Sequence, residues 1–390
     1  MRIVQAVFAV YHHFELALEL EQRGHLEMVY STWPWARLKR EGVPRNKVET
    51  FPWIHTPDYL LGRARLRPRW LTDELGWWNA LAFDRWTDKR LARLPAGCDA
   101  LIAIAGAGLT TGRHLQERGG KFICDRGSTH LRYGDQILGE EYKRWGVEYR
   151  YDIRDTLRED EIYAAADAIT VPSRFAKNSY IEHGISEDKL HVIPYGVRLE
   201  NFYKTAEPDS NAFNVLFAGQ VSLRKGFPYL LQAFASVQHP RKRLRVAGSI
   251  QAELRQLLPR LPHEHVEFLG SLSQPALASL MSRSHVLVLP AIEDGFGMVM
   301  NQAMACGCPV IATDHCGSLD LLTEGKDGFI VPIRDSDALL ERMQHLADAP
   351  HLRQKMGAAA LCRVKELGGW KEYGDRWEEL LLKLTGSPGN

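Results

Sequence analysis

The chain has 390 residues, 45% hydrophobic and 25% charged, with a formal net charge of +1. The length suggests two domains, the near-neutral charge gives no bulk case for nucleic-acid binding, and no run of about 18 apolar residues is present to form a membrane-spanning helix. The start, MRIVQAVFAVYHHF, has one Arg and an apolar run broken by Gln5, so it reads as a first strand and not as a signal peptide.

From there, short β-rich runs alternate with helix-period segments. In the first half the pattern predicts strands at 2–8, 26–30, 47–51, 99–105, 121–126, 167–171 and 190–193. Helices are expected at 13–23, 73–93, 109–119, 155–166 and 173–183, and DRGSTH (125–130) is expected to lead into an irregular stretch. The polar segment YKTAEPDSNAF (203–213) has no periodicity and reads as a linker. A second series of strands follows at 214–219, 243–248, 265–270, 285–290, 309–313 and 328–332. Such alternation implies parallel sheets with right-handed crossovers. The expected fold is therefore α/β, with two doubly wound Rossmann-like domains, 1–195 and 196–368, facing a central cleft. Open α/β sheets bind ligands at the carboxyl ends of their strands, which places the site in that cleft. The remaining segment, 369–390, contains the amphipathic WKEYGDRWEELLLKL (370–384), expected to brace the first domain with Glu378, Glu379 and Lys383 on its wet face.

Six scattered cysteines, at 98, 124, 306, 308, 316 and 362, are too few for a disulfide framework and fit a reducing cytosol. Cys306, Cys308 and Cys316 with His315 fall inside a helix–strand pattern and read as packing residues rather than zinc ligands. The DSD at 335–337 precedes ALLERMQHL and reads as a helix N-cap. Eight of the ten tryptophans lie in the first 150 residues. Trp33, Trp35, Trp53, Trp77, Trp78 and Trp86 accompany the basic runs LLGRARLRPRW and ARLKR, which suits either an aromatic core with a basic rim or peripheral contact with an anionic membrane.

The most informative segment is EDGFGMVMNQAMACGCPVIATDHCG, residues 293–317, which reads as loop, helix and strand. Gly295 and Gly297 would allow a ligand to approach the backbone, and a helix starting near 297 would present its amides to an anion. The acidic pair Glu293 and Asp294 suits hydroxyl donors. An anion and a polyol held side by side describe a nucleotide sugar.

Several landmarks now resemble a known family, the retaining glycosyltransferases of family 4, which have the GT-B fold. IPYGVRLENF (193–202) is similar to the family's I-P-N-G-V-D-x-x-x-F, and VLFAGQVSLRKGFPYLLQAF (215–234) to its F-x-G-R-x-x-x-x-K-G-x-x-x-L-x-x-A-F. VAGS (246–249) and VEFLGSLSQPAL (266–277) match the next two strand ends, and 293–313 resembles the E-x7-E motif with its G-x-P-V-I-A-T tail. The N-terminal half is only weakly similar. Lys225 matches the lysine of the R-x4-K element, but Gln220 stands at the arginine position, with Arg224 beside Lys225. In the E-x7-E motif the two positions are Asp294 and Gln302, and Glu293 lies one residue early.

The resemblance implies a metal-independent transferase that uses no cofactor. Its donor would be a nucleotide diphosphate sugar, with UDP or GDP as the nucleotide, and its acceptor a carbohydrate or lipid-linked saccharide in polysaccharide or glycoconjugate synthesis. It implies that Lys225, with Arg224 or Gln220, neutralises the diphosphate and that Asp294 meets the sugar. Gln302 would hold the ribose. Gly248 and Ser249 would line the phosphate or base pocket, and Phe268, Leu269 and Gly270 would receive the base. Gly295, Phe296, Gly297, Met298 and Val299 would form the wall and amide cradle, although Phe296 and Val299 also suit a core. His130, with Asp125 and Arg126 behind it, is the candidate histidine near the reacting sugar, and a plain surface histidine is the alternative. His12 or His13 would touch the acceptor or cap a helix. The implied location is cytoplasmic or peripheral at the inner membrane face. A GT-B nucleotide-sugar epimerase and a non-catalytic sugar-nucleotide-binding relative remain as other readings.

Overall fold

The computed structural model describes residues 1–63, 69–94 and 97–386. It contains two parallel sheets. The first is formed by β1 (Ile3–Val7), β2 (Leu26–Ser31), β3 (Val48–Thr50), β4 (Ala100–Ile104), β5 (Lys121–Asp125), β6 (Ala168–Val171) and β7 (Leu190–Val192), in the order β3-β2-β1-β4-β5-β6-β7. The second is formed by β8 (Phe213–Ala218), β9 (Lys242–Ala247), β10 (Val266–Gly270), β11 (Val286–Leu289), β12 (Val310–Thr313) and β13 (Gly328–Val331), in the order β10-β9-β8-β11-β12-β13. Central strands such as ALIAI and VLVL are buried on both faces, which is why they read as continuous apolar runs rather than alternating ones. The strand order reverses between β1 and β4 and between β8 and β11. These two switch points open crevices at the carboxyl ends of the strands, and the loops there face each other.

Two segments differ from expectation. Residues 131–144 form a helix, Leu131–Arg144, rather than an irregular stretch. Its Ile137 joins the core of the second domain, with Tyr133, Leu138 and Tyr142 packed beside it. The buried Glu141 of this helix accepts from Tyr229 (2.9 Å) and from Arg334 (2.7 Å), so the helix belongs to the first sheet's chain but is held by the second domain. The helix Trp370–Thr385 places Tyr373, Trp377, Leu380 and Leu381 in the core of the first domain. Glu378 is not a free surface residue, because it bonds His25 at 2.7 Å and pairs with Arg23 at 3.3 Å.

The chain therefore passes between the domains twice, at Tyr195–Gly196 and at Gly368–Gly369. The two crossings touch. A Cβ on Gly196 would lie 2.4 Å from the carbonyl carbon of Gly369, and Asn301 donates to the carbonyl of Tyr195 at 3.3 Å.

Candidate functional site

The second domain contributes two loops. After β8 the chain turns through 219–226 and enters the helix Phe227–Ser236. Gly226 sits at φ +61°, where a Cβ would lie 1.8 Å from the Pro290 carbonyl oxygen, so only glycine allows the turn to press against the end of β11. That contact sets Arg224 and Lys225 beside Glu293 and Asp294. The Arg224 carbonyl accepts from the amide of Ile292 at 2.9 Å, the Arg224 Nε donates to Glu293 at 2.7 Å, and the Lys225 ammonium donates to Asp294. Burial pushes both carboxyls up, but the adjacent Arg224 and Lys225 charges outweigh it and hold Glu293 and Asp294 below the ordinary carboxylate range.

The first domain contributes the loops after β1, β4 and β5. His12 opens the helix His12–Gln22, and Asp125 is the last residue of β5. His12 Nε2 meets Asp125 at 2.8 Å, and Thr170 donates to the other carboxylate oxygen at 2.9 Å. The ring of Tyr195 stacks on His12 with centroids 4.3 Å apart. His13 is sealed, with Nε2 3.1 Å from Asp125, and burial together with the neighbouring His12 pushes it down to about 4. Burial works against a charged Asp125, but the two histidines prevail and its carboxyl is lowered. Arg126 donates to Glu159 at 2.6 Å.

Between these walls lies a cavity of about 760 Å³, within the range of small-molecule sites. Tyr11, His12, Glu15, Arg126 and Ser128 line it from one side, and Arg224, Asp294, Phe296, Gly297 and Met298 from the other. At its edge the domains touch. Glu293 accepts from the hydroxyls of Ser128 and Thr129, each at 2.9 Å, and Ser173 donates to the Gly295 carbonyl at 2.6 Å.

The sequence-derived residues fare unevenly. Arg224, Asp294, Phe296, Gly297 and Met298 reach the cavity, and Lys225 is held at its wall by Asp294. Phe296 is 1% exposed, so it is mainly a core residue. Gly295 is approached not by open space but by the opposite domain, since a Cβ there would lie 2.2 Å from the Gly127 carbonyl oxygen. The short helix begins at Val299 rather than 297, and Val299 and Gln302 lie outside the cavity wall. Gln220, Gly248, Ser249, Phe268, Leu269 and Gly270 also lie outside it, along the adjacent ends of β8, β9 and β10. Gly248 donates to the Gly270 carbonyl at 2.8 Å, and Phe268 is 38% exposed.

His130 lies away from the cavity wall. Its Nδ1 accepts from the amide of Arg132 at 3.2 Å, capping the helix Leu131–Arg144, and its ring stacks on His183 at 4.6 Å. Burial and the neighbouring His183 push it down to about 4. It is buried and is not among the residues that line the cavity. Asp125 stands behind His12, not behind His130. That pairing spans 113 residues, and no local pattern announces it. The adjacency of Tyr11, His12 and His13 after the first strand was the only available signal.

Among the described residues, one group could gather around a metal ion: His12, His13 and Asp125, whose ligand atoms lie within 4.8 Å of one another. Cys306, Cys308 and Cys316 are buried free thiols, and the Asp335 side chain caps its helix by accepting from the Ala338 amide at 2.8 Å. In the tryptophan-rich region Trp33 is buried under Arg37 (4.0 Å), whereas Trp53 and Trp78 are 74% and 56% exposed. Residues 64–68 of the basic run LLGRARLRPRW lie outside the described residues.

Two family models match the chain. "Glycosyltransferase Family 4" matches residues 9–201 and "Glycosyl transferases group 1" matches residues 200–361. A D-inositol 3-phosphate glycosyltransferase of Pseudarthrobacter chlorophenolicus is 29% identical over 223 residues, covering 53% of each chain. The chain spans about half the length of the curated relatives it matches. Among solved structures, a sucrose-phosphate synthase from Thermosynechococcus elongatus superposes with a TM-score of 0.76 at 20% identity over 100% of both chains. HepE of Anabaena in complex with UDP-glucose superposes with a TM-score of 0.70 at 18% identity, over 98% of this chain and 100% of that one.

Proposed function

The chain belongs to the family 4 glycosyltransferases of the GT-B fold, and on that premise we propose that it is a retaining, metal-independent enzyme. It moves a sugar from a nucleotide diphosphate sugar to a carbohydrate or lipid-linked saccharide. The observation that carries this reading is the paired set Arg224–Glu293 and Lys225–Asp294 on the wall of an interdomain cavity. Breaking the glycosidic bond of such a donor builds negative charge on the leaving phosphate, and fixed cations at that point stabilise the transition state. Lys225 and Arg224 supply them, so no resident metal is needed. Asp294 and Glu293 hold the cations in place in the free protein, and Asp294 then meets the sugar hydroxyls.

The nucleotide extends from the cavity along the strand-end rim, with Gln220, Gly248 and Ser249 near its phosphates and Phe268, Leu269 and Gly270 at its base. Gln302 completes the ribose contacts. UDP is the favoured nucleotide, supported by the structurally similar Anabaena protein bound to UDP-glucose, with GDP as the alternative. Attack proceeds from the face of the leaving group, and the departing phosphate takes the acceptor's proton.

The test is to screen UDP-, GDP- and ADP-sugars for nucleotide release, with and without EDTA. Release that resists EDTA and collapses in Lys225→Ala supports the reading. Unchanged release in that variant sinks it, and epimerised donor without release would identify an epimerase. No described helix is long and apolar enough to cross a membrane. The proposed location is cytoplasmic, and the exposed Trp53, Leu60 and Trp78 support contact of the first domain with the inner membrane face. Co-sedimentation with anionic vesicles at low salt is expected, and its absence would remove the membrane part of the proposal.

A further inference from the structure

A second charged cavity lies at the far end of the second sheet. Asn214 is at the start of β8, Arg243 at the start of β9 and Arg283 just before β11, so all three sit at the amino ends of parallel strands. The interdomain cavity lies at the carboxyl ends, a six-residue strand or roughly 20 Å away. The distal cavity holds about 250 Å³ and is lined by Arg241, Arg243, Arg245 and Arg283, with Asn214, Glu207 and Asp209 beside them. Alternation along β9 turns Arg243 and Arg245 to the same face.

The charges around this cavity do not balance. Arg241 pairs with Asp209 at 3.0 Å, Arg245 with Glu267 at 3.3 Å, and Glu207 is taken by Lys204 at 2.6 Å. The side chains of Arg243 and Arg283 have no hydrogen bond or ion pair among the described residues, so two guanidinium charges are left over. A neutral group is unmatched as well. Asn214 is 5% exposed. Its backbone is fixed, the amide donating to His285 Nδ1 at 2.9 Å and the carbonyl accepting from the His285 amide at 2.8 Å. Its side-chain carboxamide has no partner among the described residues and is not among the sealed atoms, so it opens to the cavity that Asn214 lines. A carboxamide buried to this degree needs a bond from water or from a ligand.

We propose that this distal cavity binds a phosphate group, held by the guanidinium forks of Arg243 and Arg283 and by an N–H of the Asn214 side chain. Arginine presents N–H pairs that match phosphate oxygens, and the paired Arg241 and Arg245 add to the field that draws an anion in. The cavity is smaller than the roughly 300–1,000 Å³ of sites that enclose a whole small molecule, so it takes the phosphate and not a nucleotide. A free phosphate and a phospholipid head group carry the same chemistry. The site lies outside the transferase cleft and does not depend on the reading of that cleft.

Isothermal titration calorimetry of the full chain with inorganic phosphate and pyrophosphate, at low salt, tests the free anion. Flotation with phosphatidylglycerol vesicles tests the head group. Binding to at least one of these probes is expected, and it should weaken at least about tenfold in the double variant Arg243→Gln, Arg283→Gln. Asn214→Asp, which puts a carboxylate in place of the amide at nearly constant shape, should weaken it as much. Lys355→Gln with Lys365→Gln removes two exposed charges elsewhere in the same domain and should leave it unchanged. Vesicle binding that depends on Arg243 and Arg283, without binding of the free anions, would assign the phosphate to a lipid. No binding of any probe, a loss smaller than tenfold in either site variant, or an equal loss in the Lys355 and Lys365 control would each overturn the proposal.

Discussion

The two walls of the cleft are built in opposite ways. The second domain's wall is compact in sequence. Two adjacent cations follow one strand, two adjacent carboxylates follow its neighbour, and each cation finds its partner within that domain. The first domain's wall is assembled from distant pieces: His12 comes from the loop after β1 and Asp125 from the end of β5. Behind it lies a buried carboxylate, Asp125, between two histidines, with no lysine or arginine bonded to it among the described residues. A wall of local pairs tolerates change elsewhere in the fold. A wall held by a central carboxylate depends on the packing of several strands, and its chemistry is sensitive to acid.

The sharpest way to break this comparison is Lys225→Ala. Loss of a fixed cation facing the leaving group should lower turnover about 10²–10³-fold, roughly 3–4 kcal/mol, with the folded content unchanged by circular dichroism. A smaller and purely structural effect tests the other wall. His13 is held neutral down to about 4, against an ordinary value near 6.5. The unfolded chain therefore binds a proton that the folded one refuses. Stability is full above about 6.5 and falls as the pH drops toward 4, on the order of 2–3 kcal/mol from this residue. Denaturant midpoints between pH 7 and 4.5 measure it, and His13→Gln should flatten that limb of the curve.

Gly295→Ala probes the line where the walls touch. A methyl group 2.2 Å from the Gly127 carbonyl oxygen must push the domains apart, at about 1–3 kcal/mol. Small-angle scattering should show the expansion, and an unchanged profile would mean that the contact is not rigid. The smallest effect on turnover is expected at His130, where alanine removes a helix cap and a buried ring, about 2–4 kcal/mol of stability, and leaves nucleotide release intact. A large loss of turnover there would return His130 to the reaction.

These outcomes follow how legible each part was. Every strand named from the sequence appears within a residue or two of its place: the exposed edge strand β10 is marked by the glycine that ends it, and the central strands are buried apolar runs. The second wall was legible for the same reason: its four charged residues are neighbours of such runs. The helix Leu131–Arg144 was not, because Gly134 and Gly139 weaken its local signal and much of its apolar side is covered by the other domain. The His12–Asp125 pair was not, because sheet order alone brings β1 and β5 loops together. His130 looked functional from its loop position, but three-dimensional packing put its ring among Tyr163, Tyr180 and His183.

The helix Trp370–Thr385 also has a consequence for how the chain is made. Its Tyr373, Trp377, Leu380 and Leu381 fill the core beneath the helix His12–Gln22. The ribosome delivers them only after the whole second domain, at about 5–20 residues per second. Through that interval the first domain must wait with an open apolar groove where Trp377 will later be wholly enclosed. The domain that starts first during synthesis is thus the last to be finished, and a nascent chain stalled before residue 370 would be the one most in need of a chaperone.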